Sequence, residues 1–232
     1  MNKVFENVLD LIYPENIYCS CCGDVMDSSR VHGLCDQCIA KLDWLKENPF
    51  ARRLDGFFFD DVISLVNYDT NAQTIIHKLK LHDMPYIARG IGRLMGELLA
   101  SSYQKSLLIT CVPMHKEKLK KRGFNQAELL AKYAARASSN QFLSDLLIKT
   151  RETGSMRTER AEGRFTALKG SIIVNPNRQG DIKGREIVLV DDVITTGNTA
   201  NYCSKELKEA GASKVYILSF AAVNYKGKSS EM

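Results

Sequence analysis

No stretch of the 232 residues is long and apolar enough to cross a membrane, and the N-terminus lacks the charged-then-apolar pattern of a secretory leader. The expectation is a cytoplasmic protein with no membrane insertion. Internal repeats and low-complexity tracts are missing too, which leaves an ordinary globular chain. A Walker phosphate loop, Gly-x-x-x-x-Gly-Lys followed by Ser or Thr, does not occur, and the nucleoside-triphosphatase reading goes with it. Charge of one sign is not in large excess: the formal net charge of +5 permits a polyanionic partner without demanding one. Length and a 44% hydrophobic content support one domain of usual size plus a small module.

What is present is concentrated in two places. The first is Ile187-Val188-Leu189-Val190 followed by Asp191-Asp192-Val193-Ile194-Thr195-Thr196-Gly197-Asn198-Thr199. Four β-branched or leucine residues in a row predict a strand buried on both faces, and the periodic segment 199–210 predicts the helix after it. Strand, turn and helix N-terminus then stand in line. N–H groups from Thr195 to Thr199 would face an anion, with the helix dipole and the hydroxyls of Thr195, Thr196 and Thr199 assisting. Gly197 would let the backbone approach closely. Asp191 and Asp192 would repel a phosphate in the same cradle, but as paired acceptors they suit the two vicinal hydroxyls of a ribose one sugar length away. The pattern therefore reads as a sugar-phosphate cradle at the usual ligand position of an open α/β sheet. The bland alternative, a helix-capping turn, needs only one such residue and leaves the ordered set unexplained.

The second place is near the start. Cys19-x-x-Cys22 and Cys35-x-x-Cys38, twelve residues apart, can close a tetrahedral structural zinc site, with Gly23 supplying the knuckle turn. Cys21 is a spare thiol, and His32 is an alternative ligand if the register differs. Seven cysteines in a chain without a leader favour a reducing compartment and a metal over disulfides. Cys111 and Cys203 fall in a predicted strand and helix and read as core.

Along the chain, Val4, Phe5, Val8, Leu9 and Ile12 form a helical stripe over 2–13 that ends at Pro14. Residues 1–46 are expected to hold this helix and the zinc module, and 56–224 the larger domain, with the boundary between 46 and 56. A β-rich segment over 57–68, helices over 71–82 and 85–102, and a strand over 107–112 give the alternation of an α/β fold, a parallel sheet flanked by helices. The last strand runs into Pro113, Met114, His115 and Lys116, and then into the basic residues Lys118, Lys120, Lys121 and Arg122. Lysines at near-helical spacing form a solvated face as readily as they bind nucleic acid or diphosphate.

Four apolar residues, two acids and Thr-Thr-Gly-x-Thr resemble, at every position, the signature by which type I phosphoribosyltransferases bind phosphoribosyl pyrophosphate (PRPP). The resemblance implies that fold. It also implies that Asp191, Asp192 and Thr195 to Thr199 bind PRPP, and that Pro113, Met114, His115 and Lys116 form the pyrophosphate loop, acting with Mg2+. Val112-Pro113-Met114-His115, then Lys120-Lys121-Arg122-Gly123-Phe124-Asn125-Gln126-Ala127, together with the zinc cysteines and Ile75, Ile76, Lys78 and Leu79, more specifically resemble the ComF family of competence-associated proteins.

That resemblance spans nearly the whole chain and implies a link to DNA uptake in natural transformation. It departs in the mobile hood: 150–165 is rich in arginine (151, 157, 160, 164) but has neither the Gln of a Thr-x-x-Gln element nor the Asn of an Arg-x-x-Asn element. Transfer and its acceptor therefore stay open. Two readings follow. One is a transferase in which an acceptor nitrogen displaces pyrophosphate from PRPP. The other is a non-catalytic protein that keeps the fold as a nucleotide or PRPP sensor and engages single-stranded DNA or a DNA-uptake helicase. In the second, Lys118, Lys120, Lys121 and Arg122 are candidate DNA contacts, with Phe124 and Phe165 as stacking partners.

Overall fold

The computed structural model describes residues 17–19, 21–27, 32–48, 50, 54–81, 85–104, 106–151 and 170–223. The stripe over 2–13, and the hood from 152 onward with Arg157, Arg160, Arg164 and Phe165, lie outside them. The described helices are α1 (Asp36–Lys41), α2 (Thr70–Leu81), α3 (Ile87–Ser102), α4 (Lys116–Arg122), α5 (Gln126–Ala137), α6 (Gln179–Ile182) and α7 (Asn198–Glu209). The strands are β1 (Asp61–Asn67), β2 (Leu108–Cys111), β3 (Gln141–Phe142), β4 (Leu147–Lys149), β5 (Ile172–Val174), β6 (Glu186–Ile194) and β7 (Lys214–Ala222).

Among the described residues, five strands form one parallel sheet in the order β1-β7-β6-β2-β3, and β4 pairs antiparallel with β5 apart from it. Alternation along the strands sorts side chains to two faces. Ile109, Cys111, Val188, Val190 and Leu218 pack with α2, α3 and α5, whereas Leu108, Ile187, Leu189, Val215 and Ile217 pack with α7 and the β4–β5 pair. Both faces are covered, so the parallel strands need no polar side. On the first face α3 and α5 pack closely because glycines leave room. A Cβ at Gly92 would stand 2.6 Å from Tyr133 Cβ, and one at Gly96 2.4 Å from the Ala134 carbonyl oxygen.

After β2 the chain moves outward to β3, and after β6 it moves the other way to β7. The crevice at the C-terminal ends of β2 and β6 is therefore a topological switch point, where open α/β sheets take their ligands.

The cysteine segment is docked on this domain. Cys19, Leu34, Cys38 and Leu42 are buried in the same cluster as Val66, Ile75, Leu79 and Ile91. His32 and Gly33 run directly over α3, where a Cβ at Gly90 would fall 2.0 Å from the His32 carbonyl oxygen.

Candidate functional site

β6 continues through both aspartates to Ile194, four residues beyond the strand predicted from its apolar run. The ladder to β7 pairs Asp191 with Ser219 and Val193 with Ala221 but passes over Asp192. Side chains take up the slack there. Asp191 Oδ1 accepts the Asp192 N–H at 2.8 Å, and Asp192 Oδ1 accepts the Val193 N–H at 2.8 Å. By strand alternation the two carboxylates leave on opposite faces, Asp192 on the side of α2 and Asp191 on that of α7. Lys80, in the last turn of α2, places its Nζ 2.5 Å from Asp192 Oδ2. Burial, and next the charge of Asp192, push the Asp191 carboxyl up to about 8.

Thr195, Thr196 and Gly197 form the turn, and α7 begins at Asn198, one residue before the expected start. Gly197 takes the left-handed conformation at φ +81°, and no side chain caps the helix there. The first N–H groups of any helix lack partners within it. The Gly197 carbonyl oxygen accepts the Asn201 N–H at 2.7 Å, so the glycine carries the helix start while its own backbone turns away. Thr195 is exposed; Thr196, Asn198 and Thr199 are half-buried.

The other wall is the segment after β2. Val112 N–H donates to the Val190 carbonyl at 2.9 Å, which fixes this loop level with Asp191. Asn125, the N-cap of α5, donates from Nδ2 to the Val112 carbonyl at 3.0 Å, so the Gly-Phe-Asn-Gln stretch supports the loop from behind. Pro113, Met114 and His115 are half-buried along the crevice and Lys116 is exposed. His115 caps α4, its Nδ1 accepting the Glu117 N–H at 3.4 Å. Thus 112–116 and 191–199, far apart in sequence, stand side by side at the C-terminal ends of β2 and β6.

On α4, Lys118, Lys120 and Lys121 are exposed, whereas the Arg122 guanidinium donates to Gln126 Oε1 at 2.8 Å. Phe124 is buried in the core and gives no exposed stacking face. Cys111 and Cys203 are buried as expected, and burial raises the pKa of both thiols.

The Sγ atoms of Cys19, Cys22, Cys35 and Cys38 all lie within 4.8 Å of one another. Cys22 and Cys35 are 3.7 Å apart, against an edge of about 3.8 Å for a tetrahedron with metal–sulfur bonds of about 2.3 Å. The four cysteines can hold a metal. Gly23 turns the first knuckle at φ +84°, closed by its N–H on the Cys19 carbonyl at 2.8 Å. The Cys38 N–H returns to the Cys35 carbonyl at 3.0 Å in the second. Burial opposes ionisation of the Cys19 thiol, but hydrogen bonds from the Cys35, Cys22 and Cys21 backbone prevail and lower it to about 7. His32 is not in this set, since its Nε2 meets Glu97 Oε2 at 2.8 Å.

Sequence reasoning missed two parts of the site. Lys80 closes the family-like segment that starts at Tyr68, but as one of several lysines on an amphipathic helix it gave no sign of a role in the site. The aromatic run did carry one: Phe57 and Phe59 stack at 4.6 Å, Phe50 meets both edge-on, and the cluster lies against Gly197.

With this geometry the comparisons are specific. A family profile described as "Phosphoribosyl transferase domain" matches residues 77–232. Competence protein F of Haemophilus influenzae is 27% identical over 211 residues, covering 88% of this chain and 84% of that one. DNA utilization protein YhgH of Escherichia coli is 28% identical over 204 residues, covering 86% and 81%. Competence protein ComFC of Bacillus subtilis is 25% identical over 194 residues, covering 83% and 72%. The chain belongs to the phosphoribosyl transferase domain family and, within it, to the ComF family of competence-associated proteins.

Proposed function

We propose that the protein binds PRPP in the crevice between the C-terminal ends of β2 and β6, and serves DNA uptake as its relatives' names suggest for them. The observation that carries this reading is the juxtaposition of the 112–116 loop with the 191–199 turn, joined by the hydrogen bond from Val112 to Val190. The 5′-phosphate lies on the backbone N–H groups of Thr195 to Thr199, where the N-terminus of α7 favours negative charge. Asp191 and Asp192 receive the ribose hydroxyls. The diphosphate faces Pro113, Met114, His115 and Lys116, and Mg2+ bound with it neutralises charge on the leaving oxygens. No side chain has to act as nucleophile in a transfer, because an acceptor nitrogen attacks the anomeric carbon as the C1–O bond breaks and pyrophosphate leaves with its electron pair, while the protein orients, excludes water and stabilises charge.

Calorimetric titration of the metal-loaded protein with PRPP and Mg2+ tests this. Binding is expected in the wild type and lost in the Asp191→Asn, Asp192→Asn double variant with folding intact. Retained binding in the variant would remove the carboxylates from the site.

The four cysteines hold structural zinc, which supplies cross-linking where the segment has little core of its own. Either Cys22→Ser or a strong chelator is expected to expose the segment before residue 46 to protease; unchanged resistance would contradict it. A second reading rests on the exposed Lys118, Lys120 and Lys121 beside the crevice. They form a cationic face for the phosphates of single-stranded DNA.

A further inference from the structure

α2 touches both candidate sites through alternate lysines. Lys80 Nζ stands 2.5 Å from Asp192 Oδ2, in a pair whose side chains keep 33% and 12% of their surface, so water screens it only partly. Two residues earlier, Lys78 Nζ donates to the carbonyl of Cys21, inside the first cysteine knuckle. Leu79 between them is buried with Cys19 and Cys38 in one cluster. Lys78 and Lys80 both stand in the last turn of α2, where the negative end of the helix dipole favours cations. The metal module is further seated on α3 by the passage of His32 over Gly90 and by the His32–Glu97 pair at 2.8 Å.

Asp192 is held on its own side, yet its buried Oδ2 has no hydrogen-bond partner beyond the ion pair with Lys80 and can still accept one. Oδ1 accepts the Val193 N–H at 2.8 Å and Oδ2 is ion-paired with Lys80, so the carboxylate is held from two sides next to a second acid. A carboxylate held in that way accepts a hydroxyl without first being reoriented. The ammonium beside it also lowers the cost of bringing a polyanion into the crevice.

We propose that Lys80 is a positioning residue for Asp192 in the PRPP site and that the four-cysteine module, gripping α2 through Lys78 and Cys21, sets Lys80 in place, so that zinc and PRPP bind with positive coupling. This rests on the PRPP reading given above. Loss of the metal frees the knuckle carbonyl, the last turn of α2 loses its brace, and Lys80 no longer holds Asp192. By linkage the reverse holds, and bound PRPP slows loss of the metal.

The test is titration of PRPP with Mg2+ into full-length zinc-loaded wild type, Lys80→Met, Lys80→Arg and Lys78→Met, and into each after chelation. The expected result is affinity lowered about tenfold in Lys80→Met, within the usual range of site coupling, with zinc content unchanged, and largely restored in Lys80→Arg. Chelation and Lys78→Met weaken the wild type but have little further effect on Lys80→Met, because the same link is already cut. Wild-type affinity in Lys80→Met, or an equal chelation effect in wild type and Lys80→Met, would overturn the proposal. A second readout separates it from the PRPP reading: the 13C carboxyl signal of Asp192, identified by its disappearance in Asp192→Asn. If wild type binds no PRPP, the PRPP reading fails. A signal that shifts on chelation in the wild type but not in Lys80→Met still supports the zinc–Lys80 link, and one indifferent to chelation removes it.

Discussion

Gly197 is pressed against Phe57: a Cβ added to the glycine would stand 3.2 Å from Phe57 Cε1, and as close to the ring of Phe50. The turn at 195–197 is therefore packed from outside by the segment that joins the cysteine module to the sheet. Phe58 N–H donates to Asn201 Oδ1 at 2.6 Å and ties the same segment to the first turns of α7.

Gly197→Ala meets both obstacles at once. Its φ of +81° is costly for an L residue, on the order of 1–2 kcal/mol, and the methyl has no room without moving an aromatic ring. The variant is expected to melt at lower temperature and to bind PRPP more weakly, since relief of the strain reorients the N–H groups of the turn. Thermal melting and PRPP titration check it, and wild-type values in both would refute the role assigned to the glycine.

The strands and helices that shape this crevice were largely legible in the sequence. The helices predicted over 71–82, 85–102 and 199–210 and the strand over 107–112 correspond to α2, α3, α7 and β2 within one or two residues at each end. The prediction erred where side chains replace main-chain order. β6 runs on past Val190 because Asp191 and Asp192 accept N–H groups from the strand itself and keep it extended. Phe57 and Phe59, included in a β-rich segment, precede β1 and form a ring cluster instead, since their best partners are Phe50 and the Gly197 turn. β3, β4 and β5 have two or three residues each, too few to show a period. Lys80 could not be told from Lys78 or any solvated lysine, because its partner lies 112 positions away and is found only once α2 is placed against β6.

Asp191 makes stability depend on pH in a definite sense. Its carboxyl is raised to about 8 by burial and then by Asp192, from the ordinary 3.8, so the folded protein holds this proton more tightly than the unfolded chain. That contribution is complete below about pH 4 and is lost as pH rises through 8. Asp191→Asn has no proton to lose. Its melting temperature, relative to wild type, is expected to rise steadily between pH 5 and 8 and then level off. Parallel curves for the two proteins would show that the carboxyl is not raised.

Gly90→Ala tests how the cysteine module is seated. The new methyl would fall 2.0 Å from the His32 carbonyl oxygen, a main-chain atom that cannot turn aside, so His32 and Gly33 must lift from α3. Overpacking of this kind costs about 1–3 kcal/mol. The strain should be felt first by the module and by the His32–Glu97 pair. Faster zinc release to a chelator is expected, with the far-ultraviolet circular dichroism of the sheet domain preserved. Release at the wild-type rate would mean that the knuckles do not depend on this contact.

The lysines of α4 separate a DNA-binding face from an ordinary solvated one. Lys118, Lys120 and Lys121 are exposed, whereas Arg122 is engaged with Gln126 and Phe124 is buried, so any affinity for single strands in this region rests on the three ammonium groups and not on stacking. Each phosphate contact on a single strand adds about 0.7 to the slope of log affinity against log salt. Replacing the three by glutamine is expected to weaken binding of an oligonucleotide at low salt and to flatten that slope by roughly 2 if each lysine meets a phosphate. PRPP affinity should change much less, because the turn at 195–199 and the Asp192–Lys80 pair are untouched. A salt slope equal to that of the wild type would assign the α4 lysines to solvent and move the search for a nucleic-acid surface elsewhere on the protein.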